Sequence, residues 1–172
     1  MTQALGPLQI RPAEMADLAA LDLWIPTGPM NFHRQMLDEQ ASGASTYLTV
    51  WVGNRPVAHA NLQWDGSHEQ SVRDHVANCP ELNGVAVWPP ELRSQGIGKQ
   101  LVLAAEEMAR AKGFRCLGFG VGTTNQRARK FYEGLGYEEW PYGPYADRWI
   151  ARDEEGDEVV KQERCTYFTK KL

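Results

Sequence analysis

Cysteine is scarce in this chain, three residues of 172. Cys79, Cys116 and Cys165 fit no metal-ligand spacing, and an odd count argues against a disulfide framework. Free thiols in a reducing compartment are the expectation. Long hydrophobic runs are missing too: no segment has the roughly 18 apolar residues of a membrane span. Residues 1–9 lack the charged start and apolar centre of a secretory signal. A cytoplasmic protein with no membrane partner is therefore expected. Positive charge is not in excess. The net charge of −4 implies no basic face, so no nucleic-acid partner is expected. Arg and Lys do gather between Arg93 and Lys130, where an anion would be held. No repeat or low-complexity linker interrupts the chain, and 172 residues suit one domain, 1–172, with a sizeable core.

What is present alternates between strand and helix patterns. Leu8-Gln9-Ile10 reads as a strand, and Pro12 suits the first turn of a helix carrying Met15, Leu18 and Ala19. Thr27-Gly28-Pro29 ends it. Asn31 is placed to cap a second helix reaching Gln40. Tyr47–Val52 and Val57–Trp64, joined by the turn Gly53-Asn54-Arg55-Pro56, make a hairpin. The polar stretch 65–80 reads as a loop, and Glu81–Val87 as a strand closed by Trp88-Pro89-Pro90. Ile97, Leu101, Ala104, Ala105 and Met108 form one apolar helical stripe, with Gly113 just past its end. Phe114–Val121 is a strand, and Asn125 caps a helix with Ala128, Phe131, Tyr132 and Leu135 on one face. Tyr137 starts another strand. The acidic turn at 153–157 separates two hairpin strands, around Arg148-Trp149-Ile150 and Cys165–Phe168.

Between the fourth strand and the long helix lies Arg93-Ser94-Gln95-Gly96-Ile97-Gly98. A strand, a glycine-bearing loop and a helix N-terminus make an anion site, because the first amides of a helix have no partner inside it and its dipole favours negative charge there. A dinucleotide fingerprint would need glycine where Leu101 stands. A Walker loop would need glycine at Arg93 and a hydroxyl residue at Gln100.

The remaining pattern, Arg-x-x-Gly-x-Gly, resembles the acetyl-CoA pyrophosphate loop of the GNAT superfamily of N-acetyltransferases. The likeness extends along roughly residues 8 to 140. Ile10-Arg11-Pro12-Ala13 with Asp17 is similar to the family's opening, Glu81–Val87 to its fourth strand, and Asn125-x-x-Ala128-x-x-Phe131-Tyr132 through Gly136-Tyr137 to its second signature. Pro89-Pro90 adds one residue before the loop, and Ser94 replaces a frequent glycine. The part after Trp140 matches nothing residue by residue.

The resemblance implies a mixed α/β fold with a mostly antiparallel sheet of six to seven strands, splayed at the fourth and fifth, flanked by about four helices. It implies acetyl-CoA as acyl donor, no metal, and a small-molecule or peptide amine as acceptor. Dimers are common in the family, and nothing in this chain specifies one. Arg93, Ser94, Gln95, Gly96, Ile97, Gly98 and Lys99 would hold the diphosphate. Val85, Ala86 and Val87 would hold pantetheine and supply the oxyanion N–H. Asn125, Ala128, Lys130 and Tyr132 would complete cofactor binding, with Arg127 and Arg129 as further candidates for the 3′-phosphate. Tyr132 would be the acid for the leaving thiolate and Glu81 the base, with His59 as the alternative base. Trp24, Phe32, His59, Trp140 and Tyr142 would line the acceptor pocket, together with His33 and Tyr145. Two other outcomes stay open: a non-catalytic acyl-CoA-binding module, and transfer of another acyl group on the same scaffold.

Overall fold

The computed structural model describes residues 5–28 and 31–172. Pro29 of the first break, and the first four residues, lie outside them. Among the described residues there are eight strands and five α-helices. The strands are β1 (Leu8–Pro12), β2 (Ser45–Val52), β3 (Arg55–Gln63), β4 (Glu81–Val87), β5 (Cys116–Gly122), β6 (Glu138–Glu139), β7 (Tyr145–Arg152) and β8 (Glu158–Lys171). The helices are α1 (Leu18–Trp24), α2 (Phe32–Ala41), α3 (Gln70–Arg73), α4 (Ile97–Ala111) and α5 (Gln126–Gly134). The strand order is β1-β2-β3-β4-β5-β8-β6, with β7 paired to β8. β4 and β5 run parallel, in register at the pair Glu81↔Gly118. The mixed α/β, mostly antiparallel architecture is as expected, with β7 and β8 completing eight strands.

The chain forms two compact units, one of residues up to Leu62 with Gly84–Ala105, the other Gln63–Asn83 with Glu106–Leu172. In the first, Ala13, Leu21, Ile25, Met36, Leu37, Tyr47 and Trp51 make the core. In the second, Val72, Trp140, Tyr145, Cys165 and Tyr167 form a core cluster.

Several local expectations need correction. Pro12 closes β1 rather than opening a helix, and a 3-10 turn at Met15–Asp17 precedes α1. β1 lies at the sheet edge, where a residue without an N–H costs no ladder bond. The helix instead starts at a reciprocal cap between Glu14 and Asp17, and Asp17 also takes a bidentate pair from Arg11. Asn31 does precede α2, but it is left-handed (φ 48°) and its side chain caps nothing. The stretch 65–80 holds the short helix α3. The free-thiol reading survives only for Cys165, which is buried. Cys79 and Cys116 form a disulfide, with Cα atoms 4.9 Å apart. Each stands two residues before a member of the parallel pair Glu81↔Gly118, so the register sets them opposite one another. A separation of 37 residues hid that.

α4 keeps its stripe: Ile97, Leu101 and Ala105 are buried, and Gly113 is left-handed (φ 87°) just past its end. It also buries a charge. Glu106 is 1% exposed and accepts from Lys170 Nζ at 2.9 and 3.1 Å and from the Tyr137 hydroxyl at 3.0 Å. Lys170→Ala would leave that carboxylate short of its closest cation, at an expected cost of about 2–4 kcal/mol in urea unfolding. A loss under about 0.5 kcal/mol, the range of a surface site, would refute this role for Lys170.

Candidate active site

The first unit carries the anion loop. After β4, a 3-10 turn at Pro90–Leu92 leads to Arg93, which is extended (φ −67°, ψ 156°) and donates from Nε to the Val87 carbonyl at 3.3 Å. Gln95 Nε2 donates to the Glu91 carbonyl at 2.9 Å. Ser94 (φ 64°) and Gly96 (φ 85°) are both left-handed. Ser94 therefore takes a glycine-like conformation despite its side chain, and the loop absorbs the strain. At Gly96 a Cβ would meet nothing within 4 Å, so packing does not demand the glycine. The helix ladder begins at Gln100 N donating to Gly96 O. The amides of Ile97, Gly98 and Lys99 precede it, without intrahelical partners. Unpartnered amides at a helix mouth, after a loop with room at Gly96, suit an anion such as a diphosphate.

Also in this unit, Gly84 is left-handed (φ 62°) inside β4, as at a glycine bulge, and Val85, Ala86 and Val87 are half-buried. Phe32, His33, Tyr47 and His59 form one aromatic cluster with ring centroids 5.3–6.3 Å apart. His33 Nε2 faces the Ile25 carbonyl at 2.7 Å and Nδ1 faces the Tyr47 hydroxyl at 2.6 Å. A carbonyl only accepts, so Nε2 carries the proton; in the neutral ring Nδ1 accepts from Tyr47. His59 is buried with Nδ1 unpartnered, and burial beside His33 lowers it to about 3. Trp24 is 40% exposed under the Arg55 guanidinium, 4.5 Å from its ring centroid.

The second unit carries the acid–base candidates. Asn125 caps α5 as expected, its Oδ1 accepting from Ala128 N at 3.0 Å. Tyr132 is buried on α5 against Phe119, with ring centroids 3.8 Å apart. Burial pushes its phenol up to about 12. Arg129 pairs with Glu133 and Glu139, and Lys130 is exposed. Trp140 is buried and donates to the Gly143 carbonyl at 2.6 Å, and Tyr142 stacks on His75 at 3.7 Å.

Glu81 opens β4 at 4% exposure. Burial raises its carboxyl above the usual range, with hydrogen bonding from Asn83, Ser67 and Tyr167 opposing in part. Its Oε2 and the Tyr167 hydroxyl are both buried and reach full hydrogen-bond geometry with no group, although Tyr167 lies near enough to help hold the carboxylate. Unmissed polar groups of this kind are costly to keep and mark a site that something else completes.

One group escaped the sequence reading. β5 has glycine at every second residue, Gly118, Gly120 and Gly122. A Cβ at Gly118 would come within 2.7 Å of the Tyr167 ring, and those at Gly120 and Gly122 would overlap Tyr145 and Glu163. The alternation was the available signal, since glycine at period two marks a strand face that something approaches closely.

The acetyltransferase (GNAT) family model matches residues 17–137, and the chain belongs to that family. It is 29% identical over 144 residues to YhfO of Bacillus subtilis, an uncharacterized N-acetyltransferase, covering 77% of this chain and 91% of that one. A GNAT-family acetyltransferase from Streptococcus pneumoniae shares the fold with a TM-score of 0.64 at 22% identity, covering 96% and 100% of the two chains. The protein yncA of Salmonella typhimurium, solved with acetyl-CoA, gives a TM-score of 0.67 at 17% identity over 97% and 95%.

Proposed function

We propose that this chain, as a single cytoplasmic domain, transfers acetyl from acetyl-CoA to a primary amine of a small molecule or peptide by direct attack in a ternary complex. The observation that carries catalysis over simple binding is Glu81, a buried carboxylate whose hold on a proton is raised by burial, which an acyl-CoA-binding module does not need. The thioester supplies the activated acetyl group. Arg93 through Lys99 hold the diphosphate, mostly through main-chain amides. Asn125, Ala128 and Lys130 add to cofactor binding. Val85–Val87 bond pantetheine, and one of their N–H groups steadies the charge that grows on the thioester oxygen.

The acceptor arrives as an alkylammonium, which holds its proton to about pH 10. Glu81 takes that proton, directly or through water. His59, near 3, is too weak a base to hold it at neutral pH and fits instead as part of the acceptor lining, beside Phe32. Tyr132 gives its phenolic proton to the departing thiolate. Neither step calls on a metal ion.

Glu81→Gln tests this. Thiol release with a reactive amine should fall by about tenfold or more, and the acid limb of kcat/KM should disappear. That limb should lie above pH 4.5 in the wild type, because burial raises the carboxyl. The same shift makes the native state bind more protons than the unfolded chain, so this group's contribution to stability falls as pH rises through that window. Glu81→Gln should therefore keep or raise the melting temperature at pH 8 while losing activity. Full turnover with an unchanged pH profile would remove Glu81 as the base.

A further inference from the structure

β5 carries glycine where it lies between Glu81 and Tyr167. Glu81 stands opposite Gly118 in the parallel ladder, and Tyr167 of β8 stands opposite Gly120, one diagonal step away. Directly paired residues of neighbouring strands point to the same side, and so does every second residue of one strand. Glu81, Gly118, Gly120 and Tyr167 therefore share a face. A Cβ at Gly118 would come within 2.7 Å of Tyr167 Cε1 and of its hydroxyl oxygen. The Tyr167 ring thus leaves β8 opposite Gly120 and crosses the bare backbone of Gly118, its hydroxyl end toward β4. Even alanine at 118 would stand in that path.

Both groups are sealed from solvent, Tyr167 at 0% and Glu81 at 4% exposure. A buried donor and a buried acceptor kept apart each forfeit the bonds that water gave them, so their joining is favoured. Burial and the nearby carboxylate push the Tyr167 phenol above its ordinary value, so it remains a donor. Ser67 and Asn83 also bond the carboxylate. Each has a second commitment: Ser67 Oγ accepts from Glu69 N at 3.2 Å, and Asn83 Nδ2 donates to Gln63 Oε1 at 2.8 Å. The Tyr167 hydroxyl has no second partner among the described residues. Asp147 of β7 faces Glu81 as a like charge, and Tyr145 and Cys165 feel it at longer range.

We infer that Tyr167 is a positioning residue for acetyl transfer: its hydroxyl, passed over Gly118, donates to the Glu81 carboxylate and fixes the orientation in which that group meets the acceptor. A proton-accepting group is effective only when its own rotamer is held by packing and by a hydrogen bond behind it. The ring supplies the packing, and its hydroxyl supplies the bond. This role rests on the reading of Glu81 as the base, but the contact itself can be measured without turnover.

Tyr167→Phe removes one oxygen and keeps the ring beside Trp140 and Tyr145, whose centroids lie 5.6 and 6.1 Å away, so the fold should survive. The carboxyl carbon resonance of Glu81, assigned by its absence in Glu81→Gln, is titrated by NMR in the full chain. Losing a donor to the charged form disfavours that form, so the Glu81 midpoint should move to higher pH in Tyr167→Phe. Tyr145→Phe, which removes a neighbouring hydroxyl from the same core, should leave the midpoint where it is. Thiol release from acetyl-CoA is then followed with an amine that the wild type acetylates. On the acid limb kcat/KM of Tyr167→Phe should fall at least about threefold further than on the plateau. A Glu81 midpoint that stays in place, or that Tyr145→Phe moves equally, overturns the inference and leaves Glu81 standing as the base. A midpoint that moves while the acid limb does not keeps the contact but sinks Glu81 as the base, and with it the part of Tyr167 in transfer.

Discussion

Tyr132→Phe should lower kcat about 100-fold while leaving the acetyl-CoA dissociation constant within about twofold of wild type. The substitution removes one oxygen and keeps the ring that packs on Phe119, with centroids 3.8 Å apart, so the fold should survive. The phenol is held near 12 by burial, so it stays protonated through neutral and mildly alkaline pH and is always available as a donor. A free thiol has a pKa of about 8.5, which makes its thiolate a poor competitor for such a proton in water. A thiolate leaving into the same desolvated surroundings is raised as well, and the gap narrows as the carbon–sulfur bond breaks. The wild-type rate should therefore show no alkaline fall due to Tyr132 below about pH 10, its unperturbed value. Stopped-flow thiol release across pH 6–10 checks both points. A variant with wild-type kcat at every pH removes Tyr132 as the acid.

How much was legible in the sequence depended on how local the cause was. The start of α4 at Ile97, the left-handed Gly113 after it and the Asn125 cap of α5 all follow from spacing within a few residues, and all were readable. Pro12 misled because its fixed φ suits both a helix start and an edge strand, and only the sheet order decides between them. The Cys79–Cys116 disulfide and the facing pair Gly120↔Tyr167 come from strand register between distant segments, which no window of sequence displays. Of the candidate site, the loop setting of Arg93–Lys99, the place of Tyr132 on α5 and that of Glu81 on β4 follow from type and position. The burial that separates Glu81 from His59 as bases was not, since both simply sit on strands in the sequence.

Gly96→Val should weaken acetyl-CoA binding by about 100-fold or more in calorimetry. Two effects combine, and they can be told apart. The left-handed backbone (φ 85°) penalises any side chain by roughly 1–2 kcal/mol, and a β-branched one most. That part should appear equally as a drop in stability without ligand. The second part should appear only with ligand. A Cβ at Gly96 has open space around it, so the protein itself raises no clash. A diphosphate held by the amides of Ile97, Gly98 and Lys99 would lie close to residue 96, so a valine side chain there would crowd the ligand. Ser94 is the control, because it is left-handed too and already carries a side chain. Ser94→Gly relaxes the loop without filling it and should change affinity by less than about threefold, or 0.7 kcal/mol. If Gly96→Val loses stability by 1–2 kcal/mol yet binds acetyl-CoA as wild type does, the left-handed turn is only a way into the helix. The diphosphate would then be held elsewhere.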